Sequence, residues 1–139
     1  GRPQLGVFAR ARSETPRIMN NAQGIEEVSD MWIPICTFDE MVDGVGICAL
    51  MGNVAEEETI ALFRVRGDEV FVISNVDPFS GASILSRGIV GDRGGVLKVA
   101  SPMYKQNFCL KTGQCLDDPE VRVPTFACRV NQGMVEVLG

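Results

Sequence analysis

The chain has 139 residues, 45% of them apolar and 22% charged, with a net charge of −5. That length fits one domain with a core of its own. No apolar run reaches the ~20 residues that span a bilayer, and an acidic body argues against phosphate-backbone binding. The chain contains no histidine, which removes every Ser-His-Asp or Cys-His form of nucleophilic catalysis.

Charge is uneven along the chain. Residues 1–24 carry Arg2, Arg10, Arg12 and Arg17 against Glu14 alone, a surplus of +3, which leaves −8 for the remainder. Residues 1–29 are polar and irregular, and we expect a poorly ordered tail with a globular domain over 30–139. The opening Gly1-Arg2-Pro3-Gln4 lacks the basic-then-apolar order of a secretory signal. A cytoplasmic protein is expected, with no membrane and no nucleic-acid partner.

The first predicted strand is Met31–Cys36, followed by a single Thr-capped helical turn over Thr37–Met41. Gly44–Met51 reads as a strand. An acidic loop, Glu56-Glu57-Glu58, follows. Thr59–Val65 and Val70–Ser74 flank Arg66-Gly67-Asp68-Glu69, a hairpin signal. Further strands are expected at Val96–Ala100, Asn107–Leu110, Thr125–Val130 and Met134–Val137, the last two joined by the turn Asn131-Gln132-Gly133. Short strands separated by Gly and Asn turns predict an all-β protein, an antiparallel sandwich or barrel.

The five cysteines, Cys36, Cys48, Cys109, Cys115 and Cys128, form no C-x-x-C pair. Their odd number and wide spacing fit neither a disulfide framework nor a zinc site, so they are expected as small buried apolar residues. A tight hairpin at Thr112-Gly113 would pair Leu110 with Cys115 and turn the thiols of Cys109 and Cys115 to opposite faces. Gly44-Val45-Gly46-Ile47-Cys48-Ala49 matches G-x-G-x-x-A, but no helix follows it, so a dinucleotide site is rejected. Arg66-Gly67-Asp68 is expected as a hairpin turn, and Gly91-Asp92-Arg93-Gly94-Gly95 as a tight turn between strands. Asp117-Asp118 reads as solvated surface with no group to tune it. No catalytic residue and no bound cofactor are expected in this chain.

Two segments carry a resemblance. Ser74–Gly88 contains Asn75-Val76-Asp77-Pro78-Phe79-Ser80-Gly81-Ala82 and Leu85-Ser86-Arg87-Gly88; Ala100–Leu116 contains Ser101-Pro102-Met103-Tyr104 and Phe108-Cys109-Leu110-Lys111-Thr112-Gly113. They resemble the two cluster-binding loops of Rieske ferredoxin domains, C-x-H and C-P-x-H. Asp77 and Phe79 stand where the first Cys and His would be, and Ser101 and Tyr104 where the second pair would be. The 21 residues between Phe79 and Ser101 exceed the usual family spacing. Those side chains cannot supply two thiolates and two imidazoles. Phe79, Met103 and Tyr104 are expected to fill the vacated space.

The strings Asn-x-Asp-Pro-Phe (75–79), Leu85–Gly95, Ala100–Gln106 and Cys115–Pro119, with Trp32–Cys36 and Gly46–Leu50, are similar to the small subunit of assimilatory NAD(P)H-dependent nitrite reductases. The resemblance covers Asp30 to Gly139. It implies a Rieske-like fold with a vestigial cluster-binding subdomain over 74–113. It also implies a non-redox subunit beside a large catalytic subunit that carries siroheme, a 4Fe–4S cluster and FAD and uses NAD(P)H to reduce nitrite to ammonium. Asp77, Phe79, Arg87, Asp92, Arg93, Tyr104, Lys105 and Gln106 are the expected contacts with that partner. The other classes considered are a free-standing binding or regulatory module and an electron-transfer ferredoxin holding an unconventional cluster on its cysteines.

Overall fold

The computed structural model describes residues 7–10, 31–51 and 58–139. The organising element is a strand whose sequence is apolar without alternation, Thr-Ile-Ala-Leu-Phe-Arg-Val. Such a run needs apolar neighbours on both faces. It forms β4 (Glu58–Val65), preceded by β1 (Val7–Arg10), β2 (Trp32–Thr37) and β3 (Gly46–Met51). Ile60 and Leu62 point into one core, and Ala61, Phe63 and Val65 into another. Each side chain so buried contributes on the order of 1.5–3 kcal/mol.

The chain continues through β5 (Glu69–Ser74), β6 (Ile89–Arg93), β7 (Val96–Ala100), β8 (Asn107–Cys109), β9 (Thr125–Phe126), β10 (Cys128–Asn131) and β11 (Met134–Leu138). Three sheets result, ordered β1-β3-β4-β5-β9, β10-β11-β2 and β6-β7-β8. The first core joins the five-stranded sheet to β2 and β11 through Cys36, Met41, Ile47, Ala49, Val72, Val135 and Val137. The second joins the opposite face to the β6–β8 subdomain through Ile73, Leu85, Val99, Phe108, Leu110, Cys115 and Val123. Every described strand pair is antiparallel except β1 with β3. The all-β expectation therefore holds.

Several boundaries differ from expectation. Four residues of the stretch expected to be irregular form β1, in parallel register with Ile47–Leu50, because β3 offers a backbone edge that a short extended segment can satisfy. The rest of the predicted tail, and Glu56 and Glu57 of the acidic loop, lie outside the described residues. The turn after β2 is a three-residue 3₁₀ helix over Phe38–Glu40, and Thr37 makes no side-chain cap. Gly44 lies outside β3, in a turn at φ +82°. Gly91–Arg93 belong to β6, with the turn confined to Gly94-Gly95, since pairing with β7 outweighs the poor strand propensity of Gly and Asp. The single strand expected over Thr125–Val130 is broken at Ala127: β9 pairs with β5 while β10 pairs with β11, so the chain changes sheets there. The Arg66-Gly67 and Gln132-Gly133 turns form as predicted, with φ of 57°, 83°, 55° and 81°.

The β8 hairpin is two residues out of the predicted register. Phe108 pairs with Cys115, and Cys109 N–H donates to the Gln114 carbonyl. Leu110 N–H is drawn away to the Leu97 carbonyl, which lengthens the turn. All five cysteines are free; Cys36, Cys109 and Cys115 are buried, and Cys48 and Cys128 half-buried.

Candidate functional site

The two resemblance loops lie side by side at one end of the subdomain, and they are built alike. Each opens on a residue followed by proline, which presets the φ of the next position. In the first, Phe79 N–H donates to Asp77 Oδ1 at 2.8 Å, Gly81 N–H to the Asp77 carbonyl at 2.7 Å, and Asp77 N–H to the Ala82 carbonyl at 2.9 Å. In the second, Met103 N–H donates to Ser101 Oγ at 3.3 Å, Lys105 N–H to the Ser101 carbonyl at 3.0 Å, and Ser101 N–H to the Gln106 carbonyl at 2.9 Å. The fifth residue of each loop is left-handed: Gly81 at φ +79° and Lys105 at φ +67°. The sequence signal was Asp-Pro-Phe-Ser-Gly against Ser-Pro-Met-Tyr-Lys, a likeness hidden by the different side chains.

The first residues of the two loops touch. Ser101 Oγ donates to Asp77 Oδ2 at 2.6 Å, and both residues are fully buried. Phe79 turns inward, its ring 6.2 Å from that of Phe108 at a 46° tilt. Tyr104 turns outward and is 56% exposed, as Met103 is at 51%. The expectation that Met103 and Tyr104 fill the interior is therefore wrong; Phe79 alone of the three packs against the second core.

The other expected contact residues fall in different places. Arg87 and Lys105 are exposed beside the tip. Arg87 follows Ser86, whose N–H donates to Asn75 Oδ1 at 2.6 Å, and its charge faces Cys48. Burial raises the Cys48 pKa, and the Ser86 hydroxyl and Arg87 partly offset this. Gln106 is half-buried, with Oε1 unpartnered among the described residues. Asp92 and Arg93 are at the far end of β6, about 10 and 13 Å along the strand from Ile89. There Asp92 accepts the Gly95 N–H and Arg93 pairs with Asp117 at 3.2 Å. Asp117 is not untuned surface: the Asn107 backbone N–H at 2.7 Å, its side-chain amide at 3.0 Å and Arg93 hold its carboxyl below the ordinary range, despite some opposing burial. Asp77, an expected contact, is enclosed.

Sequence reasoning missed two exposed apolar residues at the tip. Val76, next to Asp77, is 36% exposed, and Ile89, opposite Ala100 at the start of β6, is 75% exposed. With Met103 and Tyr104 they give this end an apolar surface of the kind that marks an interaction site. Ile89 carried no signal because Ile89-Val90 is a lone apolar pair between Gly88 and Gly91, too short to show a periodicity that would say which of the two faces solvent.

The family model describing Rieske-like [2Fe–2S] domains matches residues 31–138. The nitrite reductase (NADH) small subunit of Salmonella typhimurium is 44% identical over 109 residues, covering 97% of that protein and 78% of this chain. This chain belongs to the Rieske-like family of nitrite reductase small subunits. The solved structure of the Escherichia coli protein NirD, a further relative of this small-subunit family, matches with a TM-score of 0.71 at 41% identity, over 79% of this chain and 97% of that one. A stretch of the Klebsiella oxytoca nitrite reductase [NAD(P)H] large subunit is 39% identical over 138 residues, 99% of this chain and 13% of that protein. The family thus has likenesses both in separate small subunits and in one segment of a large-subunit polypeptide.

The family description names a [2Fe–2S] cluster, and the tip residues do not fit one. A Rieske cluster takes two thiolates and two imidazoles. Here a carboxylate and a hydroxyl are spent on each other, a phenyl ring has moved into the core, and a phenol points away. Among the described residues no three His, Cys, Asp or Glu side chains gather as a ligand set. No redox step is derived through this small subunit. No helix among the described residues is long and apolar enough to cross a membrane.

Proposed function

We propose that this chain acts as the non-redox small subunit of an NAD(P)H-dependent nitrite reductase, docking onto the large catalytic subunit through the tip of its subdomain. The likeness to small subunits that carry that name supports the assignment. The observation that carries the docking role is the exposure of Met103 and Tyr104, with Ile89 exposed opposite Ala100 and Val76 exposed next to Asp77, on a tip whose ligand positions are Asp77, Phe79, Ser101 and Tyr104. An aromatic anchor in an apolar patch flanked by cations is a composition found at interface centres. Lys105 adds to this, since a non-glycine residue at φ +67° is strained and such strain collects at functional sites.

In this assignment the chain supplies no catalytic group. Siroheme, the 4Fe–4S cluster, FAD and the NAD(P)H site belong to the large subunit, and the complex works in the cytoplasm, reducing nitrite to ammonium. Residues 30–139 form the docking module, with 74–113 as its vestigial cluster subdomain. Arg87, Tyr104 and Lys105 remain as contacts; Asp77 and Phe79 act from beneath the surface.

Co-purification of the chain with the siroheme-bearing large subunit tests the assignment, and Tyr104→Ala with Lys105→Ala tests the surface. The double variant should remain folded and lose at least tenfold in affinity. Unchanged binding by the folded variant would remove the tip as the contact site. A colourless, iron-free preparation of the chain alone is expected; visible absorbance with stoichiometric iron would favour the electron carrier instead.

A further inference from the structure

Asp77 and Ser101 are 24 residues apart in sequence and each is the organising residue of its loop. Both carboxylate oxygens of Asp77 are engaged, Oδ1 by the Phe79 N–H and Oδ2 by the Ser101 hydroxyl. Ser101 Oγ donates to Asp77 and accepts from the Met103 N–H. Among the described residues, this is the one hydrogen bond that joins loop 75–84 to loop 101–106. Both residues are fully buried, so neither is open to bulk water.

These are also the positions that correspond to the two thiolates. We propose that the Asp77–Ser101 hydrogen bond is the cross-link that fixes the two tip loops to each other, standing where an iron would join them, and that it thereby presents Met103, Tyr104 and Lys105 for docking. The chemistry suits a cross-link better than a surface contact. A hydroxyl-to-carboxylate bond in an enclosed site is strong, and losing one partner leaves the other buried and unsatisfied. Each residue transmits its position directly to the backbone: Asp77 holds Phe79 and Gly81, and Ser101 holds Met103 and Lys105. The bond therefore sets the register between a residue turned inward on Phe108 and residues turned outward to a partner. The presentation of the tip rests on the docking role proposed above; the cross-link itself does not.

Hydrogen exchange on the full chain separates the two. In Ser101→Ala the amides of Phe79, Gly81, Met103 and Lys105 should exchange about ten- to hundredfold faster, the range expected for a hydrogen bond to a charged group, while β3 and β4 amides stay as in the wild type. Asp77→Ala should do the same. The double variant should fall short of the sum of the two singles, since the carboxylate and the hydroxyl no longer leave each other unsatisfied and only the Phe79 and Met103 N–H groups lose an acceptor. Where alanine prevents folding, Ser101→Thr against Ser101→Val isolates the hydroxyl at nearly equal volume. Loop exchange unchanged in a folded Ser101→Ala, or Thr and Val behaving alike, overturns the cross-link. Titration with the large subunit then tests presentation: Ser101→Ala should bind at least tenfold more weakly. Equal binding by a variant with loosened loops overturns presentation, whereas a wild-type chain that does not bind at all overturns the docking role and leaves the cross-link standing.

Discussion

Replacing Gly46 by alanine tests how closely the subdomain is seated on the central sheet. Gly46 opens β3, pairs with Phe63, and faces the second core. A Cβ there would lie 2.7 Å from Phe63 Cε1 and 3.0 Å from the Ser86 carbonyl carbon, with the Ser86 oxygen nearer still. Ordinary contacts need about 3.5–4.0 Å between carbons and little less to an oxygen, so Ser86, whose oxygen is the nearest atom, must retreat by about 1 Å. It is not free to do so, because its N–H is tied to Asn75 Oδ1 at 2.6 Å and the Leu85 N–H to the Asn75 carbonyl at 2.9 Å. Overpacking of this kind costs about 1–3 kcal/mol, and a backbone obstacle places it at the upper end. Alanine recovers about 0.5–1 kcal/mol by leaving less chain entropy to lose. The net loss expected is about 2 kcal/mol, a large share of the ~5–15 kcal/mol that holds such a domain. Gly67→Ala is the control: at φ +83° it meets nothing within 4 Å, so it carries a conformational cost alone, about 1 kcal/mol. Urea denaturation of the two variants should rank Gly46→Ala as the more damaging. A Gly46→Ala protein as stable as the wild type would refute the close seating of Ser86 on β3.

Four further outcomes follow from particular groups. Lys105→Gly should raise stability by about 1 kcal/mol by relieving the left-handed residue while weakening large-subunit binding; unfolding midpoints and titrations check the two signs. The folded-state pKa of Asp117 is depressed, so its contribution is present above the ordinary carboxyl pKa of about 3.9 and is lost as pH falls through the folded value. The stability gap between wild type and Asp117→Asn should be constant above about pH 5 and close below pH 4; a gap that grows on acidification would contradict this. Burial, helped by Glu40, pushes the Cys36 thiol up to about 11, so its share of stability is full below the ordinary thiol pKa and is lost as pH rises from there through the folded value. Burial also pushes Cys109 up, but hydrogen bonds from Thr112 and Lys111 outweigh it and leave the thiol below its ordinary value; timed alkylation at pH 8 should label Cys109 well before Cys36. Paired prolines at Phe8 and Ala9 remove the β1 donors to the ladder, and amides within Ile47–Leu50 that face β1 should then exchange faster with the two cores intact.

The parts of the fold legible in the sequence are those set by neighbours in the chain. The β4–β5 and β10–β11 hairpins are marked by apolar runs around Arg66-Gly67 and Gln132-Gly133, and the local turn chemistry fixes them. The break at Ala127 has no local mark, because Thr125–Asn131 is one extended run and only the positions of two different sheets divide it. The β8 hairpin slipped for a similar reason: Leu97, distant in sequence, takes the Leu110 N–H that a tight turn would have used. At the tip, the replacement of ligands was legible because it is a matter of residue type. The Asp77–Ser101 contact was not, since nothing local brings residues 24 apart to 2.6 Å. Nor was the divergence of Phe79 and Tyr104, which depends on whether Phe108 lies beneath the ring.

A loop pair that has lost a metal cluster would be expected to unravel, and the second core explains why this one need not. Val99, Phe108, Leu110 and Leu85 anchor the subdomain strands and the 3₁₀ turn over Leu85–Arg87 against Ala61, Phe63 and Ile73 of the central sheet. Leu85, Val99, Phe108 and Leu110 alone bury enough apolar surface to contribute several kcal/mol, independently of anything bound at the tip. Only the register between the two loops is left for the tip to determine, and one enclosed hydrogen bond is of the right size for that. The same division separates the expected phenotypes. Phe108→Ala and Gly46→Ala should lower the urea midpoint and weaken docking together, whereas Ser101→Ala should loosen the loops and weaken docking with a smaller midpoint shift than Phe108→Ala. A Ser101→Ala midpoint shift as large as that of Phe108→Ala would mean that the tip, and not the second core, holds the subdomain.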